Sequence, residues 1–262
     1  MTQRFANKTV VVFGAGSVGP GWGNGKAAAV LYAREGGSVV CVDRSEVAAS
    51  ETVDMIAKEG GTATAVVADV TREDEVAAVF ATVPAPHVVH YNVGISRPGN
   101  VLDQSEEDWR DVFAINLDGA FNVAKRAIPL MRAQGGGAFV FISSVAAIRN
   151  GGYAYAAYEA SKAALNRLSR TIAVAHAAEG IRSNVIMPGL IDTPHVTAMI
   201  AGRATSADGL AERRAAAPPM KRQGSAFDVA EAAAFLVSDA AGYITGVELA
   251  VDGGLTLMTP SA

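Results

Sequence analysis

Thr9-Val10-Val11-Val12-Phe13-Gly14-Ala15-Gly16-Ser17-Val18-Gly19-Pro20-Gly21-Trp22-Gly23-Asn24-Gly25-Lys26-Ala27-Ala28-Ala29 passes from an apolar, β-branched run through a glycine-dense turn into a helix-forming segment. Read literally, Gly14, Gly16 and Gly19 spell G-x-G-x-x-G. That register starts the helix near Gly16 and places Pro20, Gly21, Gly23 and Gly25 inside it. An interior proline costs about 3 kcal/mol and each interior glycine about 1 kcal/mol. The register of lower cost runs the loop to about Gly23 and begins the helix at Gly25-Lys26-Ala27. In both registers bare N–H groups, from Gly14, Gly16 and Ser17 through Gly23 and Asn24, meet a helix N-terminus, an arrangement suited to a pyrophosphate. A flexible turn has the same composition, so the loop needs company.

Company arrives in order. A second strand, Val39-Val40-Cys41-Val42, ends at Asp43, whose carboxylate can accept hydrogen bonds from ribose hydroxyls and would repel a 2′-phosphate. NAD is therefore favoured over NADP, although Arg44 next door is placed to serve a phosphate. Further apolar runs at Thr64–Ala68, His87–His90, Ala138–Ile142, Ser183–Ile186 and Glu248–Val251 lie between helical patterns at Glu46–Glu59, Arg72–Ala81, Ser105–Arg132, Tyr155–Glu179 and Ala226–Val237. Regular alternation predicts an α/β fold of one domain, a doubly wound parallel sheet with helices on both faces. Ligands in such a sheet sit at the carboxyl ends of the strands. Leu190–Ser225 is polar and irregular, and reads equally as a surface excursion or as a lid over a site.

Tyr158-Glu159-Ala160-Ser161-Lys162 sets a phenol and an ammonium one helical turn apart. A phenol titrates near pH 10, too high for a base at neutral pH, and a neighbouring cation lowers it. Fourteen residues upstream a buried strand ends in Phe141-Ile142-Ser143-Ser144, offering a hydroxyl at the sheet edge. Ser144 is thus placed to hold a carbonyl oxygen while Tyr158 moves the proton. A hydrolase reading fails by comparison: Gly16-Ser17-Val18-Gly19 lacks a helix directly after the serine, and the last histidine, His195, lies well before the chain's end.

Composition narrows the partners. Half of the 262 residues are apolar, 18% are charged, and the formal net charge is −4. Nothing in that balance favours nucleic acid or an anionic membrane. No run approaches the ~20 apolar residues of a membrane helix. The start of the chain is polar with no visible signal peptide, and a lone cysteine, Cys41, fits a reducing compartment; a soluble cytoplasmic protein is expected. His87 and His90, three apart on a strand, point to opposite faces, and His176 and His195 lack zinc-site spacing, so no metal site is expected. Trp22 reads as an anchor for the long glycine loop.

Taken together these motifs resemble the short-chain dehydrogenase/reductase family, in its compact branch, along nearly the whole chain. Carrying the resemblance are the glycine loop, Asp43, Ala68-Asp69-Val70, Asn92-Val93-Gly94, Asn116, Ser144, Tyr158-x-x-x-Lys162, Pro188-Gly189 with Thr193, and Val251-Asp252-Gly253-Gly254. The resemblance implies a Rossmann-type fold and an NAD(H)-dependent oxidoreductase acting between a secondary alcohol and a ketone. It implies Tyr158 as acid/base, Ser144 as substrate-orienting, Lys162 on the nicotinamide ribose and lowering the tyrosine pKa, and Asn116 holding a water in a proton relay. Asp69 and Val70 would line the adenine, Asn92, Val93 and Gly94 the neighbouring ribose, and Pro188, Gly189, Ile191 and Thr193 the nicotinamide. The long helices Ser105–Arg132 and Tyr155–Glu179 resemble subunit-packing helices, which implies a homotetramer or homodimer.

Four positions depart from the family pattern. Eight residues, Ala15 to Trp22, separate the first two fingerprint glycines where three are usual. Phe13 stands for a threonine, Tyr91 for the first asparagine of Asn-Asn-Ala-Gly, and the Ser144–Tyr158 interval is one residue longer than the commonest spacing. Tyr155, seven before Lys162, together with the stretched loop, is similar to enoyl-thioester reductases, which reduce C=C bonds. Ser144 with Tyr158 favours carbonyl chemistry, and Tyr155 and Tyr153 then line the substrate pocket or the core. A dinucleotide-sensing protein without turnover is the alternative of a different class.

Overall fold

Strand β1 (Thr9–Phe13) alternates its side chains between two cores, and that alternation organises the molecule. In the computed structural model, which describes residues 3–149, 154–194 and 209–258, Val10 and Val12 face one core while Val11 and Phe13 face the other. All four are fully buried, as a parallel strand covered on both sides requires.

Around β1 the chain lays down β2 (Ser38–Asp43), β3 (Thr62–Val67), β4 (Val88–Tyr91), β5 (Gly137–Ile142), β6 (Ile181–Pro188) and, last in chain order, β9 (Glu248–Val251). The sheet order is β3-β2-β1-β4-β5-β6-β9 and every pairing is parallel. Chain order reverses between β1 and β4, so a crevice opens above the carboxyl ends of these two strands. One face is covered by α1 (Asn24–Arg34), α2 (Glu46–Lys58) and α8 (Ala226–Val237), the other by α3 (Glu73–Thr82), α5 (Gly119–Ala133) and α6 (Ala156–His176). All seven expected strands are present.

The expected helix Ser105–Arg132 is three pieces. α4 (Glu106–Phe113) starts on a Ser105 cap that accepts from the Asp108 N–H and carries three acids in its first turn. A π-helical turn at Ala114–Asp118 follows, with the Gly119 N–H bonded to the Ala114 carbonyl, and α5 continues from there. Such a turn has no compositional mark, so periodicity reads straight through it.

Of the expected lid, residues 190–194 and 209–225 are described. They form β7 (Ile191–Asp192) paired with β8 (Gly224–Ser225), with α7 (Leu210–Ala216) between them. His195, like Tyr153, lies outside the described residues. No described helix is long and apolar enough to cross a membrane.

Candidate active site

The glycine loop takes the register of lower cost: Gly23 is the N-cap and α1 begins at Asn24. The loop is closed at its neck. Gly14 sits at φ +75, and a Cβ on Gly25 would overlap its carbonyl oxygen, so only a hydrogen fits there. The Asn92 side chain donates to that same carbonyl at 3.2 Å, while Thr52 on α2 donates to the Ala15 carbonyl at 2.9 Å. Further out, Ser17 donates to the Gly19 carbonyl at 2.8 Å, and Gly19 and Gly21 face Pro194, just past β7. Trp22 turns away from the cleft and packs edge-on against Phe227 of α8, ring centroids 4.8 Å apart, which is the anchoring role expected of it.

Asp43 ends β2 beside this loop. One carboxylate oxygen accepts from the Gly16 N–H and the other from the Ser45 N–H, each at 3.0 Å, which leaves lone pairs on the cleft side. Gly16 is tight against it: an added Cβ would stand 2.9 Å from the carboxylate and 2.5 Å from the Ala48 methyl. Farther along, Thr71 donates to Asp69 through both its backbone and its hydroxyl, and Asn122 holds the Val70 carbonyl at 3.0 Å.

Proton-transfer groups converge where β5 ends. Ser144 and Tyr158 both line the cleft, with the serine hydroxyl near enough to favour the phenolate. The Lys162 ammonium lies 5.8 Å from the Tyr158 ring centroid and donates to the Ile142 carbonyl at 2.9 Å. Burial pushes the Lys162 pKa down to about 8. Desolvation raises the Tyr158 pKa, the Ser144 hydrogen bond opposes this, and Tyr155, its ring 6.2 Å away, adds to the rise. The expected lowering of the phenol by Lys162 is therefore outweighed: stripping water from both groups costs each its charged form. Ser143, the other serine of the pair, also borders the cleft, but its hydroxyl donates to the Lys162 carbonyl at 3.1 Å, bracing α6.

Asn116 is fully buried within the π-helical turn. Its side-chain oxygen accepts from the Ile95 N–H at 2.8 Å; its amide donates to the Ile95 carbonyl and to Ser161, both at 3.0 Å. These three bonds make the Asn116 side chain a clamp between the β4 loop and α6.

A cleft of about 630 Å³ runs along these groups. It is lined by Gly14, Gly16, Ser17, Gly23, Asn24, Asp43, Asp69, Val70, Asn92, Val93, Gly94, Ser144, Tyr158, Lys162, Pro188, Gly189, Ile191 and Thr193, so of the expected site residues Asn116 alone lies behind its wall. Reading the sequence did not single out Val18, Ser45, Ala48, Ile95 or Ile115 among the lining residues. Their apolar or small side chains carry no chemical signal apart from the fold. His90 and His87 are structural: His90 is buried against the Tyr32 hydroxyl at 2.9 Å, and His87 accepts from the Thr9 N–H at 3.0 Å.

Known proteins resemble the chain along nearly its whole length. Residues 20–256 match a family model described as enoyl-(acyl carrier protein) reductase. A cis-4-hydroxycyclohexanecarboxylate dehydrogenase of Sinomonas cyclohexanicum is 39% identical over 98% of this chain and 99% of its own. A short-chain dehydrogenase/reductase structure from Burkholderia xenovorans superposes with TM-score 0.96 at 38% identity, covering 98% of this chain and 100% of that one. A 7α-hydroxysteroid dehydrogenase, solved with NADH and 7-oxo glycochenodeoxycholic acid, gives 0.87 at 31% identity, covering 97% and 96%. With relatives of this identity aligned over nearly their full length, the chain belongs to the short-chain dehydrogenase/reductase family of oxidoreductases.

Proposed function

We propose that the protein interconverts a secondary alcohol and a ketone with NAD(H). The observation that carries this is the Ser144–Tyr158 hydroxyl pair beside buried Lys162, in the same cleft as the glycine loop. A cleft of this size, necked by glycines that no Cβ could replace, fits an extended dinucleotide. Gly14, Gly16, Ser17, Gly23 and Asn24 would hold the pyrophosphate, Asp43 the adenosine ribose, Asp69 and Val70 the adenine, and Asn92 to Gly94 the adjoining wall. Lys162 would hold the other ribose, and Pro188, Gly189, Ile191 and Thr193 the nicotinamide. When bound, the nicotinamide supplies or accepts the hydride.

Ser144 donates a hydrogen bond to the substrate oxygen and fixes it beside the Tyr158 hydroxyl. Tyr158 gives its proton to that oxygen in reduction and takes one back in oxidation. Because desolvation raises its pKa, the phenol is protonated near neutral pH, which suits ketone reduction there and moves oxidation to alkaline pH. Lys162 remains cationic below about pH 8 and favours the phenolate when it forms.

Tyr158→Phe removes the transferable proton while keeping the ring. Its ketone reduction should fall at least about a thousandfold while NADH binding, read by fluorescence titration, stays within about threefold. Full turnover by this variant would reject the assignment.

The family model's description and the nearness of Tyr155 to Tyr158 favour a second reading, enoyl-thioester reduction. Ketones and enoyl thioesters assayed side by side with NADH separate the two; silence on both panels, with NADH bound, would favour a non-catalytic dinucleotide sensor. Phe121 on α5 and Val174 on α6 are half or more exposed, which supports packing of these helices in a homotetramer or homodimer, readable by light scattering. The lone, buried Cys41 is compatible with a reducing compartment, which supports a cytoplasmic location.

A further inference from the structure

Tyr91 is the residue that replaces an asparagine of the family pattern, and the proposed chemistry leaves it without a task. It ends β4 with its side chain fully buried between Phe13 and Phe141. Its hydroxyl donates to the Ile115 carbonyl at 2.6 Å, inside the π-helical turn Ala114–Asp118. Burial, with Asp69 and Asp118 nearby, keeps the phenol protonated and therefore a donor. The turn is shaped around it: a Cβ on Gly119 would stand 2.6 Å from the Tyr91 oxygen and 2.6 Å from the Val70 side chain.

One residue past Ile115 stands Asn116. It bridges Ile95 to Ser161, the residue before Lys162, and Gly94 fits between Asn116 and Lys162 with no room for a side chain. A turn of this kind rotates the residues within it relative to a straight helix, so whatever holds the turn also sets the direction of Asn116. A buried carbonyl that loses its partner is costly, which gives the single Tyr91 bond leverage over the whole turn.

We propose that Tyr91 is a positioning residue for proton transfer. Its hydroxyl pins the π-helical turn, the turn aims Asn116, and Asn116 holds the Ser161–Lys162 end of α6 and Gly94 in register with Tyr158. This rests on the oxidoreductase reading, and it concerns kcat rather than binding, since Tyr91 itself does not line the cleft.

The test is Tyr91→Phe, with Tyr32→Phe as its control. Tyr32 also loses a buried hydroxyl bond, at 2.9 Å to His90, but across the sheet from the turn. Both variants should lose comparable thermal stability. Only Tyr91→Phe should speed amide hydrogen exchange in the peptide spanning residues 114–119, about fivefold, and lower kcat about five- to tenfold with KM for ketone and NADH unchanged within twofold. Unaltered exchange at 114–119 overturns the latch, and altered exchange with unaltered kcat overturns the positioning role. An equal loss of kcat in Tyr32→Phe also overturns it, because the effect would then be one of general stability. Exchange is read without turnover, so failure of the oxidoreductase reading shows separately, as silence of the unaltered protein on ketones and enoyl thioesters with NADH bound.

Discussion

The Lys162 ammonium donates to the Ile142 carbonyl at 2.9 Å, tying α6 to the last residue of β5, two positions before Ser144. Charge is thereby held inside the protein on one backbone oxygen, with a pKa lowered to about 8. Such a group favours the unfolded chain, where the ammonium is hydrated.

Lys162→Met should therefore stabilise the protein while abolishing turnover. Below about pH 8 the folded lysine carries its charge against the cost of burial, and that penalty is fully present. Between about pH 8 and 10.5 the unfolded chain binds the proton that the folded chain has released, so wild-type stability gains with rising pH and the difference narrows. After allowing for the orphaned Ile142 carbonyl, the gain at pH 7 should be about 1–2 kcal/mol. Denaturant titrations of both proteins at pH 7 and pH 10 check this; a less stable methionine variant at pH 7 would refute it.

Asp43 presents a carboxylate to the cleft beside Arg44, and both line it. With the carboxylate present, a 2′-phosphate meets repulsion; with it removed, Arg44 remains next to that position to attract one. Asp43→Ala should raise the NADPH-to-NADH ratio of kcat/KM by about tenfold or more. The same change frees the N–H groups of Gly16 and Ser45, so NADH affinity should fall too. An unaltered ratio would take Asp43 out of cofactor selection.

Gly25→Ala tests the neck of the loop. The new methyl would overlap the Gly14 carbonyl and stand 2.8 Å from the Asn92 amide, so the neck must open to admit it. Loss of about 2 kcal/mol of stability and of at least tenfold in NADH affinity is expected, read by thermal melting and fluorescence titration. Gly60→Ala is the control for a glycine with open space, although its φ of +79 makes it cost some stability on its own. Equal NADH affinity in the two variants would count against a neck that shapes the cofactor site.

How much of this was legible in the chain depends on whether a feature is written in chemistry or in geometry. The inner strands β1, β2, β4 and β5 announce themselves because a strand buried on both faces is apolar almost throughout, and Tyr158, Lys162, Ser144 and Asp43 because charged or hydroxylic groups at strand and helix ends are few. The helix start at Asn24 was legible to one residue, from the cost of proline and glycine alone. The break at Ala114–Asp118 was not: Ala114-Ile115-Asn116-Leu117-Asp118 is ordinary helix composition, and the reason for the break is Tyr91, distant in sequence and adjacent in space. For the same reason a cation near Tyr158 is visible in the sequence, while the loss of water that raises the phenol's pKa is not.

His90 gives the last prediction, on acid stability. It is fully buried, shares one ring nitrogen with the Tyr32 hydroxyl, and its other nitrogen has no hydrogen-bond partner among the described residues; burial lowers its pKa to about 3. The unfolded histidine takes up a proton near pH 6.5, the folded one only near pH 3. Between those values the unfolded chain binds more protons, so stability falls as pH drops through this window, by up to about 1.4 kcal/mol per unit. His90→Gln keeps a polar side chain that can accept from Tyr32 but does not titrate there. It should be less stable than wild type at pH 7, through imperfect packing, and should lose less between pH 6.5 and 4. Urea midpoints of both proteins across that range decide it: parallel declines would show that His90 is not what acid attacks, and a shallower decline in the glutamine variant that it is.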